Sequence, residues 1–451
     1  MDRPDGRLAQ PLNAADRFLL AVDRAQRRIG GVGFETQTLI GLGGRADLPR
    51  LRDALAGLAR RHPGLTSRLV EAQDQGGPYW QFRPGSDCPL VETDLADGDP
   101  QCVLDHAARL LSAPSDPVEV DPARFHLLRR PDGRDVLLVQ FNHALVDHHG
   151  AMRLLGCLAR PDAGGQVEPA PAPAWRDPIW EHLRRFPRKR RKEAMRAAED
   201  WRRSLRGGAI HLGRTPPGGG PVTLRLISRR LEAGPARALE AHVRACGAPS
   251  LAMAVLASAF RAISRLRGAQ ATGRYFNVGL GVDLGLSRAE GPALQNLTTL
   301  LPLRASREEV EEGGDLARVL VRRLRELLAR DMDPGVLELA AVFGRLRRQG
   351  DWAIELLLRY CLSLWFAYFG AVRELGPELC GARIEEVRSF GPTWPPVGLT
   401  LLVNQFDGRL LFQLTHAPEC VPAALADAFL DETLADLTTL IEGGACAGSP
   451  G

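Results

Sequence analysis

Three histidines and an aspartate fall within seven positions, His143 to His149, in the stretch "LLVQFNHALVDHHGAMRLL" at residues 137–155. Three readings of that cluster are open. A metal centre needs three or four converging ligands. Here His143 and Asp147 stand four apart where the chain is leaving a strand, and the adjacent His148 and His149 would point apart. A polar turn near the surface needs no chemistry at all. A general base needs one imidazole, whose ordinary pKa near 6.5 lets a ring nitrogen take a proton around neutrality. It also needs a strand to fix that imidazole and a carboxylate to hold the local backbone. "His143-Ala-Leu-Val-Asp147" supplies all three. Asp147 is too far along the chain to be taken as a direct relay partner, so a structural ion pair that shapes the loop is expected of it.

The elements around the cluster follow from periodicity and turn chemistry. "ARFHLLRRPDGRDVLLVQFNHAL" holds two apolar runs around "PDG", a hairpin signal that places His143 just past the end of a buried strand. Upstream, "AADRFLLAVDRAQRR" has helical spacing, "VGFETQTLIGL" reads as a strand, and Leu48 to Arg61 carries Leu51, Leu55 and Leu58 on one helix face. "PDAGGQVEPAPAPAW" has the alternating prolines of an extended linker. The predicted organisation is therefore an N-terminal lobe at 1–160, a linker at 161–175 and a C-terminal lobe at 176–451. The second lobe reads as strands and helices, with helices from Leu316 to about Leu375. A second hairpin is expected around "FDG" in "GLTLLVNQFDGRLLFQLTH". Helices mixed with hairpin-connected strands in each lobe make an α/β class with mixed sheets.

Composition narrows the function classes. With 451 residues, 45% hydrophobic and 25% charged, the chain can bury a large core, and a formal net charge of +4 demands no nucleic acid. The eight cysteines are scattered with no CxxC pair, which suggests neither a zinc site nor a disulfide framework. "MDRPDGRLAQPLN" lacks the apolar core of a signal peptide, and a cytoplasmic setting is the expectation. The apolar run Tyr360 to Val372 has 13 uncharged residues against the roughly 20 a membrane span requires. It is expected to be a buried or tunnel-lining helix, or a surface that touches lipid or a partner. "RRFPRKRRK", with Arg188, Lys189, Arg190 and Arg191, is the densest positive charge in the chain. It reads either as a solvated helix face or as a docking surface for an acidic carrier protein, coenzyme A phosphates or an anionic membrane.

At this point the chain resembles a known group. "NHALVDHHGAMRLL" is similar to the HHxxxDG signature of the condensation-domain and chloramphenicol-acetyltransferase-like acyltransferases, a superfamily that includes wax-ester synthases. "PLNAADRFLLAVD" resembles that group's N-terminal opening, "ARRHPGLTSRLVE" its RHPxLRxRL stretch, and "LQNLTTLLPLR" its GNxxNxLPLR block. The matches run in the group's order from about residue 11 to 440. The resemblance implies two chloramphenicol-acetyltransferase-like lobes, each with a mixed sheet and flanking helices, and a tunnel between them. It implies acyl transfer from acyl-CoA or a phosphopantetheinyl carrier protein to a hydroxyl or amine of a small-molecule acceptor. His143 would be the base, with no acyl-enzyme, no metal and no permanently bound cofactor. An acyl or peptidyl carrier protein would act in trans. Asp147 and Gly150 would support the site, together with Arg68 or Arg304. Asn142, His148, Asn296, Thr298 and Thr299 would be oxyanion donors or tunnel walls.

The departures are specific. Asn142 stands at the first histidine of the signature, His148 at its glycine, Thr66 at the arginine that customarily pairs with the aspartate, and Gln295 at the glycine before Asn296. They bear on whether the site is active. Two further readings follow: a wax-ester or glyceride synthase working at a lipid surface, and a degenerate condensation fold that only recruits carrier proteins.

Overall fold

A computed structural model describes residues 9–442 apart from 72–76, 84, 114, 160–176, 205–207, 217–219, 247–249, 269–272, 285–293, 313–314 and 346. The expected linker, 161–175, lies outside the described residues.

Before the linker the order is β1 (Ala9–Pro11), α1 (Ala14–Arg28), β2 (Glu35–Leu42), α2 (Leu48–Arg61), β3 (Arg68–Val70) and β4 (Tyr79–Gln81). There follow β5 (Leu90–Asp94), α3 (Pro100–Ser112), β6 (Ala123–Arg129), β7 (Asp135–Asn142) and α4 (His148–Ala159). Beyond it come α5 (Pro178–Arg184), α6 (Arg188–Ser204), β8 (Arg225–Leu231), α7 (Ala233–Ala245), α8 (Leu251–Arg267) and β9 (Tyr275–Asp283). Next are β10 (Thr298–Ser306), α9 (Arg307–Glu311), α10 (Leu316–Ala329), α11 (Met332–Arg345) and α12 (Arg347–Tyr360). The chain closes with β11 (Trp365–Ala371), β12 (Glu378–Leu379), β13 (Ala382–Phe390), β14 (Leu399–Phe406), β15 (Arg409–His416) and α13 (Ala423–Glu442).

Two six-stranded mixed sheets carry the molecule, in the orders β12-β13-β2-β7-β6-β5 and β10-β9-β11-β14-β15-β8. The first sheet is not built from one side of the linker. Strand β13 crosses back and pairs antiparallel with β2, from Ile384↔Leu42 to Phe390↔Gln37. Two apolar cores run through the molecule: one joins Leu39, Leu128 and Leu138 of the first sheet to the strands and helices of the second, and the other, on α1, α2 and α4, also takes in Trp365, Trp394 and Val397 from the C-terminal half.

Both hairpins form where their turn residues predict. Gly133 takes φ +83° in the β6–β7 turn, and Asp407 and Gly408 take φ +50° and +73° between β14 and β15. Two consecutive positive φ values match a two-residue type I′ turn, which glycine and aspartate adopt at low cost. One expectation fails. The run from Tyr360 to Val372 is no helix: α12 stops at Tyr360, and β11 inserts between β9 and β14. Ser363 helps end the helix, its N–H donating to Asn277 O and its hydroxyl accepting from Asn277 N–H. A short apolar run does not distinguish strand from buried helix by period, and "WFAYF" is rich in the aromatics that strands favour. No helix among the described residues is long and apolar enough to cross a membrane. One cysteine is not a free thiol: Cys246, at the C-cap of α7, is disulfide-bonded.

Candidate active site

All eight residues of β7 are buried, which fixes the point from which the histidine loop leaves. The loop turns at once. Asn142 Oδ1 accepts from Ala144 N–H at 3.0 Å, and Asn142 O accepts from Leu145 N–H at 3.0 Å. His143 N–H reaches sideways to Phe34 O at 3.0 Å. The His143 ring lies on the Phe34 ring, with centroids 4.8 Å apart and planes at 24°. Phe34 is braced edge-on by Trp365, and Trp365 by Trp394. An aromatic column from both halves of the chain therefore sets the plane of the imidazole.

Asp147 does two jobs. Its Oδ1 accepts from Gly150 N–H at 2.8 Å and its backbone O from Ala151 N–H at 2.9 Å, so it caps the N-terminus of α4. Its Oδ2 accepts from Leu297 N–H at 2.9 Å, across to the second lobe. The arginines expected to support it are placed elsewhere. Arg68 and Arg83 share the carboxylate of Asp121. Arg304 lies over the Tyr275 ring at 4.8 Å, six residues up β10 from Thr298 and therefore roughly 20 Å away along the strand. Backbone amides from two segments thus bond this carboxylate.

Asn296 ties the loop together. Its Nδ2 donates to His143 O at 2.9 Å and to Asp16 Oδ1 at 2.8 Å, and its N–H donates to Asp16 Oδ1 at 2.9 Å. Asn13 Nδ2 donates to Asn296 O at 3.0 Å, while Asn13 and Asp16 cap each other's backbone at the start of α1. Asp16 thus belongs to the site although its side chain is only 1% exposed. Burial pushes its carboxyl up to about 7, with the Asn296 and Asn13 bonds pulling the other way. The N-x-x-D capping pattern of "NAAD" marks a helix start in the sequence. Nothing local shows that its carboxylate also holds a segment 280 residues away.

Electrostatics favour a neutral imidazole. Burial lowers the His143 pKa below its usual value, opposed by the charge of Asp147. His143 Nδ1 is buried and has no hydrogen-bond partner among the described residues. The ring lines a cavity of about 120 Å³ between the two lobes, together with Thr36, Thr298, Thr299, Trp365 and Phe369. Thr299 is buried, and its hydroxyl also lacks a partner among the described residues. Asn142 lies behind the loop instead of in the cavity lining, and its Nδ2 is buried without a partner among the described residues. His148 stacks on Phe369, and His149 meets His148 edge-on at 5.9 Å. Among the described residues no three His, Cys, Asp or Glu side chains are grouped to hold a metal ion.

The basic run lies mostly exposed, with two of its arginines paired to neighbouring elements. Arg190 bonds Asp331 at 2.7 Å and Arg191 bonds Glu338 at 2.6 Å, joining α6 to the α10–α11 turn and to α11. Arg191 also covers Trp180, at 5.6 Å. Arg188, Lys189 and Arg190 are exposed, Lys189 at 3.9 Å from Glu193.

No family model matches the chain. A stretch of 102 residues is 36% identical to nonribosomal peptide synthetase 8 of Aspergillus fumigatus, covering 22% of this chain and 1% of that protein's length. Among solved structures, the chain is similar to the TRI3 trichothecene 15-O-acetyltransferase of Fusarium sporotrichioides, with TM-score 0.74, 12% identity, and 97% and 96% of the two chains covered. The first condensation domain of the CDA synthetase superposes at TM-score 0.71, with 18% identity and 97% of each chain covered. The epimerization domain from the third module of tyrocidine synthetase B follows at 0.60, with 15% identity and 97% and 98% covered. One scaffold thus carries different reactions, and likeness at this level speaks for architecture alone. The chain has the two-lobed fold shared by condensation domains and chloramphenicol-acetyltransferase-like acetyltransferases.

Proposed function

We propose that the protein is an acyltransferase that moves an acyl group from a thioester to a hydroxyl or amine, with His143 as general base. The observation that carries this reading is an imidazole stacked in an aromatic column and lining a cavity between the lobes, where burial lowers its pKa. The acceptor's O–H or N–H gives its proton to the ring while its oxygen or nitrogen bonds the thioester carbonyl carbon. The tetrahedral oxyanion is met by the hydroxyl of Thr299, a buried donor with no partner among the described residues. Collapse breaks the C–S bond, and the proton on the imidazole passes to the departing thiolate. Asp147, Gly150 and Asn296 hold the loop and take no part in the bond changes. The thioester is carried on coenzyme A or on the phosphopantetheine arm of a carrier protein acting in trans.

The test is thiol release from a panel of acyl-CoAs and acyl-carrier proteins with pooled alcohols and amines. Acceptor-dependent release supports acyl transfer and names the donor class. Carrier binding without turnover of any panel member favours a recruitment module instead.

The lowered His143 pKa has a kinetic consequence. The free enzyme's base stays unprotonated to a pH below the ordinary 6.5, so the acid limb of kcat/KM has its midpoint below that value. A kcat/KM profile from pH 4.5 to 8.5 checks this, and a midpoint at or above 6.5 contradicts it.

A further inference from the structure

The cavity beside His143 is closed on one side by two rings from different lobes. His148 is the first residue of α4, and Phe369 lies on β11 in the other sheet. Their centroids are 3.6 Å apart and their planes only 11° from parallel. Phe369 is aimed there by a bulge. In the pairing of β11 with β14, Tyr368 faces Val403 and Gly370 faces Asn404, leaving Phe369 as the extra residue. Gly370 takes φ +71°, which a residue with a side chain adopts only with strain. Bulges of this kind redirect a side chain next to a site. Both rings line the cavity, yet both are only half-buried, which places them between the interior and solvent. With the rings stacked the cavity measures about 120 Å³. Small-molecule sites ordinarily begin at roughly 300 Å³, so an acyl thioester and an acceptor do not fit together until something moves.

We propose that the His148–Phe369 stack is a gate on one mouth of the cavity, and that it sets the bulk of the reactant admitted through that mouth. It takes one ring from each lobe, so a rotation of the Phe369 side chain or a small change in lobe separation opens it. The bulk-selective part rests on the acyltransfer reading above; the gate itself does not.

The test therefore has two arms. The first needs no turnover: carbethoxylation of histidines by diethyl pyrocarbonate, with His143 followed by peptide mass spectrometry in wild type, Phe369→Ala and His148→Ala. His143 is expected to be modified at least tenfold faster in both variants. His416, 1% exposed and on β15 away from the cavity, reports general loosening and should stay slow. His143 labelling at the wild-type rate in both variants overturns the gate. So does His416 accelerating in step with His143 in both variants. The second arm measures kcat/KM for a bulky and a small acceptor, and their ratio is expected to rise about tenfold in Phe369→Ala. Faster His143 labelling with no panel member turned over keeps the gate and removes the acyltransfer reading. Faster labelling with an unchanged ratio removes the bulk-selective part.

Discussion

Replacing His143 by alanine is expected to lower acyl transfer by about 10² to 10⁴-fold, the usual worth of a positioned general base. The loop around it should survive, because its bonds are made by groups that alanine keeps. The 143 N–H still donates to Phe34 O, and the 143 carbonyl still accepts from Asn296 Nδ2. Removing the ring also removes a buried Nδ1 that has no partner among the described residues, which offsets part of the lost stacking on Phe34. A melting temperature within a few degrees of wild type should therefore accompany the loss. Steady-state thiol release in parallel with thermal unfolding separates the two effects. Partial rescue by added imidazole would place the proton transfer at the vacated position. Activity within threefold of wild type would remove His143 as the base.

The second large effect is expected at Asp16. Asp16→Ala leaves three buried N–H donors without an acceptor: Asn13 N–H, Asn296 N–H and one hydrogen of Asn296 Nδ2. A loss of about 2–4 kcal/mol follows from stranded buried donors, reduced by the burial cost of the carboxyl itself. The sign with pH is specific. Burial raises this carboxyl from 3.8 to about 7, so between those values the folded state holds a proton that the unfolded chain has released. Its contribution is complete below the unfolded pKa and is lost as pH rises through about 7. Over the range from pH 5 to pH 8 the substitution should thus cost most at pH 5 and progressively less towards pH 8, and urea unfolding at both ends measures the difference. The same variant should lower kcat with little change in KM, since Asn296 would no longer be held against His143 O. A cost that grows from pH 6 to pH 8 would contradict this account.

How much of this was legible in the chain depends on how local each signal is. The position of His143 past a buried strand and the two hairpins follow from short-range turn chemistry and apolar spacing. The two-lobed architecture came from ordered resemblance across the chain. The bond from Leu297 N–H to Asp147 did not come through, because a backbone amide carries no side-chain signal in a sequence. Arg68 carried the right type at nearly the right place, yet Asp121 claims it. The run from Tyr360 to Val372 was read as a buried or tunnel-lining helix, or a surface that touches lipid or a partner, and Trp365 to Phe369 do line the cavity. Only its strand conformation was hidden, since a short apolar run without alternation does not distinguish a strand from a buried helix. Asp16 looked like a helix cap, which it is. Its second role depends on a contact that only the tertiary fold brings about.

The crossover of β13 has a consequence for how the protein is made. Strand β2 pairs on one side with β7, which follows within about 100 residues, but its other edge waits for Ala382–Phe390, about 340 residues downstream. At roughly 5–20 residues per second of synthesis, that edge stays open for on the order of 20–70 s after β2 emerges. An uncovered strand edge invites pairing with another chain. The nascent N-terminal half should therefore depend on chaperone cover until the ribosome has passed Phe390, and chains truncated between α12 and β13 should aggregate while those carried through β13 do not.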